Sequence, residues 1–225
     1  MPGGAFFDLD RTLIARSSSL ALAGPFHRRG LIGRRQLAKA RLAQLLFVRF
    51  GAGHGRAGQT ADVAMQILKG LRVEVLEEIV ADAWKPVLRP LVYREALAAA
   101  EEHEARGESV FIVSGALQEI VDRLAAELGF SGALGSLAEV EDGRYTGRLS
   151  RRLLGAEKAV GLGDLARAEG LDLGASTAYS DSSSDIAFLE SVGTPVAVNP
   201  DRGLLRVAED RGWAVRRFRH RLGSA

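Results

Sequence analysis

Cysteine is absent from the 225-residue sequence, which excludes a disulfide framework, a thiolate metal site and a cysteine nucleophile. No apolar run approaches the roughly 18 residues that a membrane-crossing helix needs. No basic region precedes an apolar stretch at the amino terminus, so no export signal is expected. A soluble, cytoplasmic protein is the expectation. Acidic residues are missing entirely between Asp10 and Asp62, although Arg11, Arg16, Arg28, Arg29, Arg34, Arg35, Lys39, Arg41, Arg49 and Arg56 all fall in that stretch. Lysine is scarce as well: only four of the 30 basic residues are lysine, and Lys158 stands alone after Lys85.

What remains is a chain able to build a proper core, with 47% hydrophobic residues and a net charge of +2. That small net charge conceals segregation, because the residues outside the acid-free stretch hold 20 cations against 28 acids. A second basic cluster, Arg211, Arg216, Arg217, Arg219 and Arg221, lies near the carboxyl end.

Short apolar runs alternate with helical pattern. AFFDLD, SVFIVSG, STAYSD and TPVAVN read as buried parallel strands, since each is short, rich in β-branched or aromatic residues and bounded by turn formers. ALQEIVDRLAAELG, EKAVGLGDLARAEG and SDIAFLESVG read as helices, the first two closing on Gly129 and Gly170. The alternation predicts an α/β, doubly wound, Rossmann-like parallel sheet. AEVEDGRYTGRL, with Asp-Gly at its centre, predicts a β-hairpin. Residues 15–88 break the rhythm with long helical stretches, RRQLAKARLAQLLFVRF and RVEVLEEIVADAWKPVL, joined by GAGHGRAG. They predict a helical cap domain inserted after strand 1, leaving residues 1–14 and 89–225 as the core domain. In the first of those helices, Leu42, Leu45, Leu46 and Phe50 are expected to pack inward while Arg34, Arg35, Lys39, Arg41 and Arg49 stay in water.

Polar residues recur at one topological position. Asp8 and Asp10 close the first strand, and share a face if that strand persists through them. Ser114 and Gly115 close the second, and Asp181 closes TAYS. Ligands bind at the carboxyl ends of strands in open α/β sheets, so three separated segments are expected to meet in one crevice. Clustered carboxylates repel, and the arrangement needs a compensating cation or an unusual proton.

DLDRT, a strand-ending SG, the isolated Lys158 and SDSSSD, in that order, resemble the four motifs of the haloacid dehalogenase superfamily of aspartate-dependent phosphatases. The helical insert after the first motif is similar to the cap of the subgroup (IB) that includes the phosphoserine phosphatases. The resemblance implies that Asp8 is the nucleophile and forms an aspartyl-phosphate, and that Asp10 is the general acid and then the general base. It further implies that Mg²⁺ is held by Asp8, the Asp10 carbonyl and Asp181, and that Thr12, Ser114, Gly115 and Lys158 bind the phosphate. Asp185 is left to bind a metal-bound water or to orient Lys158.

The substrate is less legible. In the phosphoserine phosphatases an acidic residue shortly after the first motif binds the substrate ammonium, and the matching position here is Ser17, preceded by Arg16, with a distant acid of the insert such as Asp62 or Glu74 as the alternative partner for an amine. The basic insert favours an anionic or lipid-linked phosphomonoester, with peripheral contact to an anionic membrane as its accompaniment. Phosphoserine remains an alternative substrate, and phosphotransfer an alternative to hydrolysis. A non-catalytic module binding RNA or anionic lipid is the alternative of another class, although no nucleic-acid partner is expected. GAGHGRAG lacks the lysine and hydroxyl of a P-loop. His27, His54, His103 and His220 share no ligand spacing, and Trp84 and Trp213 read as packing residues.

Overall fold

A computed structural model describes residues 1–50 and 64–223, and for 44–50 the backbone only. The GAGHGRAG segment lies outside the described residues, as do the side chains of Leu45, Leu46, Arg49 and Phe50.

Seven strands form one sheet: β1 (Gly4–Phe7), β2 (Ser109–Leu117), β3 (Gly132–Glu141), β4 (Arg144–Arg151), β5 (Thr177–Ser180), β6 (Thr194–Val198) and β7 (Ala214–Arg216), in the order β4-β3-β2-β1-β5-β6-β7. Every neighbouring pair is parallel except the β3–β4 hairpin. That hairpin turns at Asp142 and Gly143, both left-handed (φ 48° and 72°), as a two-residue turn matched to strand twist requires. The doubly wound sheet expected from the sequence is therefore the fold.

Both faces of the sheet are covered, which explains strands that read as continuous apolar runs. Phe6, Phe111, Ala178 and Ala197 point into one core with helices α7 (Ala156–Glu169), α8 (Ile186–Glu190) and α9 (Arg202–Arg211). Their neighbours Phe7, Ile112, Tyr179 and Val196 point into the other, with α5 (Arg94–Ala105) and α6 (Gln118–Leu128). The Phe7 and Tyr179 rings stack at 4.2 Å between centroids, fixing β1 against β5 directly before their aspartates. His103 is buried beneath them and bonds both Glu108 and the Tyr179 hydroxyl.

Between β1 and β2 lie α1 (Ser18–Ala21), α2 (Ala23–Arg28), α3 (Arg34–Phe50), a helical stretch at 64–68 and α4 (Val73–Ala83). The helical pattern predicted to run on through Leu88 changes pitch at Trp84–Leu88, which is a π turn. Pro86 has no N–H to continue the α-helical ladder, and the Arg89 N–H bonds Trp84 O instead. The chain leaves and re-enters the sheet region at two adjacent segments: the Ala15 N–H donates to Leu91 O and the Tyr93 N–H to Leu13 O.

Three expectations are corrected. β1 ends at Phe7, so Asp8 and Asp10 do not share a strand face; the chain turns there, with the Leu13 N–H reaching Asp8 O and Leu9 O. β2 does not stop at Ser114 but runs to Leu117 through a bulge. Val113 pairs with Leu134 and Leu117 with Ser136, leaving Ser114, Gly115 and Ala116 opposite Gly135 alone. Leu42 is 59% exposed rather than buried. The stripe of α3 that lines the cavity beside the sheet carries Gln36, Lys39, Ala40 and Ala43, mostly exposed themselves, and at about 100° per residue Leu42 falls off that stripe.

Asp201 ties two loops of the crevice together. Its carboxylate caps α9 through the Leu204 N–H (2.8 Å) and accepts from the Ser183 N–H (2.9 Å), while its own N–H donates to Asp181 O. Burial opposes the charge, but these hydrogen bonds outweigh it and hold the Asp201 carboxyl below its ordinary range. Asp201→Ala is expected to lower stability by about 1 kcal/mol at neutral pH, the value of a helix cap. A depressed carboxyl contributes stability above its unfolded pKa of about 3.9 and loses it as pH falls through the folded value. The parent and variant should therefore converge in acid, which urea denaturation across pH would measure.

Candidate active site

The register sets the site. Phe7 lies level with Ile112 of β2 and Tyr179 of β5. Asp8 follows Phe7 immediately, Ser114 lies two residues past Ile112, and Asp181 two past Tyr179. The Asp8 N–H still donates to Tyr179 O (2.9 Å), so the carboxylate is fixed at the strand end.

Lys158, at the start of α7, reaches into this position from 150 residues away. Its ammonium donates to Asp8 Oδ1 and Asp185 Oδ2, both at 2.7 Å, and sits 4.6 Å from the Phe188 ring centre. Ser180 adds a third contact, its hydroxyl donating to Asp185 Oδ2 at 2.7 Å. Burial alone would depress the lysine, but the charges of Asp185 and Asp8 outweigh it and hold its pKa above the ordinary value. Burial pushes the Asp8 carboxyl up, to about 7, against the pull of Lys158.

Asp10 is held differently. Its Oδ1 accepts the Ser18 N–H at 2.8 Å. Burial raises its pKa, opposed by that N–H and by the hydroxyls of Ser18 and Ser17, so a proton resides there more readily than on an ordinary carboxylate. Asp181 is buried and its pKa rises well above normal for that reason, despite Arg11 at 3.1 Å. Thr12 is fully buried and its hydroxyl has no partner among the described residues. The Ser114 hydroxyl accepts the Ala116 N–H at 3.2 Å across the bulge, and Gly115 O accepts the Ser136 hydroxyl at 2.9 Å. A side chain at Gly115 would meet the tip of the Leu154 side chain at 2.5 Å and Leu153 O at 3.3 Å, so the space there is tight.

Asp8, Lys158 and Asp185 are thus in direct contact, and Asp10 and Asp181 lie near enough to act on Asp8 electrostatically; Thr12 lies in the turn after Asp8, and Ser114 and Gly115 at the same end of the neighbouring strand β2. Arg16 is exposed, whereas Ser17 is buried beside Asp10, whose carboxyl its hydroxyl helps to hold down, and it also caps α1 by accepting the Leu20 N–H. Sequence reasoning missed Arg11, Ser18 and Ser180. Arg11 adopts a left-handed backbone (φ 66°), unusual for a residue with a side chain, and only the fold shows that it points at Asp181. Ser180 was within the SDSSSD motif, but nothing in that run distinguishes it from its neighbours.

The haloacid dehalogenase-like hydrolase family matches residues 5–190 of this chain, and the chain belongs to that family. A probable phosphatase of Mycobacterium tuberculosis is 40% identical over 95% of this chain and 75% of its own. SerB1 of the same organism, a phosphoserine phosphatase, is 35% identical over 97% of this chain and 72% of that protein. Among solved structures, a protein of unknown function from Bordetella pertussis Tohama I superposes with a TM-score of 0.80 at 28% identity, covering 96% of this chain and 98% of that one.

A divalent cation fits the site by charge and donor type. Four carboxylates, Asp8, Asp10, Asp181 and Asp185, face one ammonium and one guanidinium, an excess of two negative charges when all are ionised. Among the described residues, no three carboxylate or imidazole side chains are grouped to chelate a metal unaided. Mg²⁺ is suited to such a sparse set, since it takes oxygen ligands and keeps several waters.

Removing the lysine tests the cluster. Lys158→Met leaves Asp8 and Asp185 buried without a cation and is expected to lower stability by about 3–5 kcal/mol at high pH. Loss of Lys158 raises the Asp8 carboxyl further, and a raised carboxyl is relieved as it takes up a proton. The destabilisation should therefore be larger at about pH 8 than at about pH 6, and adding Asp185→Asn to the Lys158→Met variant should restore part of it. Urea denaturation of the parent, the single variant and the double variant at both pH values would show this.

Proposed function

We propose that this hydrolase is a magnesium-dependent phosphoric monoester hydrolase working through an aspartyl-phosphate at Asp8, on a small or lipid-linked anionic phosphomonoester. The observation that carries the reading is Lys158 held between Asp8 and Asp185 at the carboxyl end of the sheet, with Asp10 and Asp181 on the same rim. Related proteins that carry the phosphatase name support the same class.

In this reading Asp8 Oδ attacks phosphorus, the bond to the leaving oxygen breaks, and Asp10 gives that oxygen its proton. Water then attacks the acyl phosphate, Asp10 takes the water's proton, and the bond from phosphorus to Asp8 breaks, restoring the carboxylate and releasing phosphate. Asp10 is suited to carry the proton because burial has raised its pKa. Lys158 neutralises phosphate oxygens and keeps Asp8 aimed, Asp185 orients Lys158, and Thr12, Ser114 and the backbone at Gly115 donate to the phosphate. Mg²⁺, held by Asp8, the Asp10 carbonyl and Asp181, would supply charge neutralisation between nucleophile and substrate. Residues 15–88 serve as the cap over the core formed by 1–14 and 89–225, closing on substrate and excluding water.

Phosphoserine is the second reading, favoured by the likeness to SerB1. The buried Ser17, in place of the acid that would hold an ammonium, counts against it. No helix among the described residues is long and apolar enough to cross a membrane, so a lipid-linked substrate would be met from a cytoplasmic protein touching the anionic surface through its arginines.

The test is phosphate release from a panel of phosphomonoesters with and without Mg²⁺. Release is expected to require the metal and to fall by a factor of about 10³ or more in Asp8→Asn, as when a covalent nucleophile is removed. Release that survives in Asp8→Asn would overturn the mechanism.

A further inference from the structure

A cavity of about 460 Å³ lies between the helical insert and the sheet. Its size falls within the roughly 300–1,000 Å³ of small-molecule sites. It borders the reaction centre at two points: Ser19, next to the Ser18 that bonds Asp10, and Gly115, next to Ser114. From there it extends away from the carboxylates, walled by Leu20, Phe26, Met65, Leu68, Ile120 and Leu149.

Its polar groups are few and mostly engaged. The Ser136 hydroxyl donates to Gly115 O and accepts the Leu153 N–H, and Gln36 Oε1 accepts the Gly33 N–H at 2.8 Å. Among the described residues, the charged group of the lining is Lys39, which is exposed, and no carboxylate lines the cavity. Against these described residues a substrate ammonium would lose its hydration without meeting a carboxylate, a penalty of several kcal/mol for a buried ion. An alkyl chain would gain from every methylene it buries.

We infer that the alcohol part of the substrate is an apolar chain, which occupies this cavity while its phosphate faces Asp8. The inference rests on the phosphomonoester hydrolase reading above and specifies its substrate class. Saturated glycerolipid chains and branched isoprenoid chains share this chemistry, so both belong in the test.

Binding and turnover are measured separately. Titration calorimetry of n-alkylphosphonates, ethyl to octyl, into the whole protein with Mg²⁺ should show affinity rising by up to about fourfold per methylene, the factor that full burial of a methylene gives. Affinity that does not rise with chain length overturns the inference. Ala40→Trp on α3, or Leu149→Trp on β4, obstructs the cavity and should flatten the slope. An unchanged slope in folded protein of both variants places the chain elsewhere and also overturns it. In turnover, octyl phosphate should exceed phosphoserine in kcat/KM by about tenfold or more, and lysophosphatidate compared with a prenyl phosphate distinguishes the two sources of chain. Release that is indifferent to chain length sinks the inference while leaving the hydrolase standing. Steep phosphonate binding with no magnesium-dependent release from any phosphomonoester sinks the hydrolase reading, and the substrate inference with it.

Discussion

The ammonium of Lys158, buried between Asp8 and Asp185, is the contact on which the rest of the site depends. A buried ion pair is a poor source of stability, because desolvation offsets most of the attraction. This one has two acids to one base, with Asp10 and Asp181 close by, so it is further from neutral than a structural pair would be. A chain selected for stability alone would be expected to fill this position with apolar residues. The retained charge imbalance is understandable if a divalent cation enters beside it, and if an arriving phosphate then meets a site whose carboxylates are already compensated. Lys158 also makes Asp8 a directed group: an ammonium at 2.7 Å occupies one carboxylate oxygen and leaves the other for chemistry.

Holding that arrangement is the work of the sheet. β1 and β5 are aligned by the stacked Phe7 and Tyr179, and β2 is aligned with both until Val113. Past Val113 the bulge takes Ser114 and Gly115 out of the regular ladder with β3. Asp201 fastens the loop carrying Asp181 and Asp185 from behind. Each device is local, but they share one reference plane at the carboxyl ends of the parallel strands.

Much of this was legible in the sequence because the signals were covalently local. Parallel strands buried on both faces declare themselves as short apolar runs, and glycines at Gly129 and Gly170 mark helix ends by a conformation that other residues resist. The ordered motifs pointed to Asp8, Lys158 and Asp181; the structure puts Lys158 against Asp8, and the catalytic and metal-binding roles are proposals. The misreadings had a different origin. The end of β1 at Phe7, the bulge after Val113 and the exposure of Leu42 depend on what neighbouring segments do, and no period within one segment encodes them. Arg11 was invisible for the same reason. In sequence it is one cation in a basic stretch, and only the turn after Asp8 directs it to Asp181.

That basic stretch shows how charge in sequence differs from charge in space. Among the described residues of that stretch, Arg11 meets Asp181, and Arg29 meets Asp82 at 2.7 Å and Glu78 at 3.3 Å on α4. Arg28, Arg34, Arg35, Lys39 and Arg41 remain exposed. Exposed acids stand among them on α4, at Glu74, Glu77, Glu78 and Asp82, so the outer face of the described insert is mixed with a cationic excess, while the cavity wall is largely apolar apart from Lys39. Its outer charge acts over about a Debye length, roughly 8 Å at physiological salt, and raises the local concentration of any anion without distinguishing one phosphate from another. Discrimination has to come from the inner wall, where contact is short-ranged and desolvated. On the proposed reading a phosphomonoester with an apolar tail would satisfy both surfaces, its phosphate drawn by the first and its chain accepted by the second, whereas phosphoserine would satisfy the first alone.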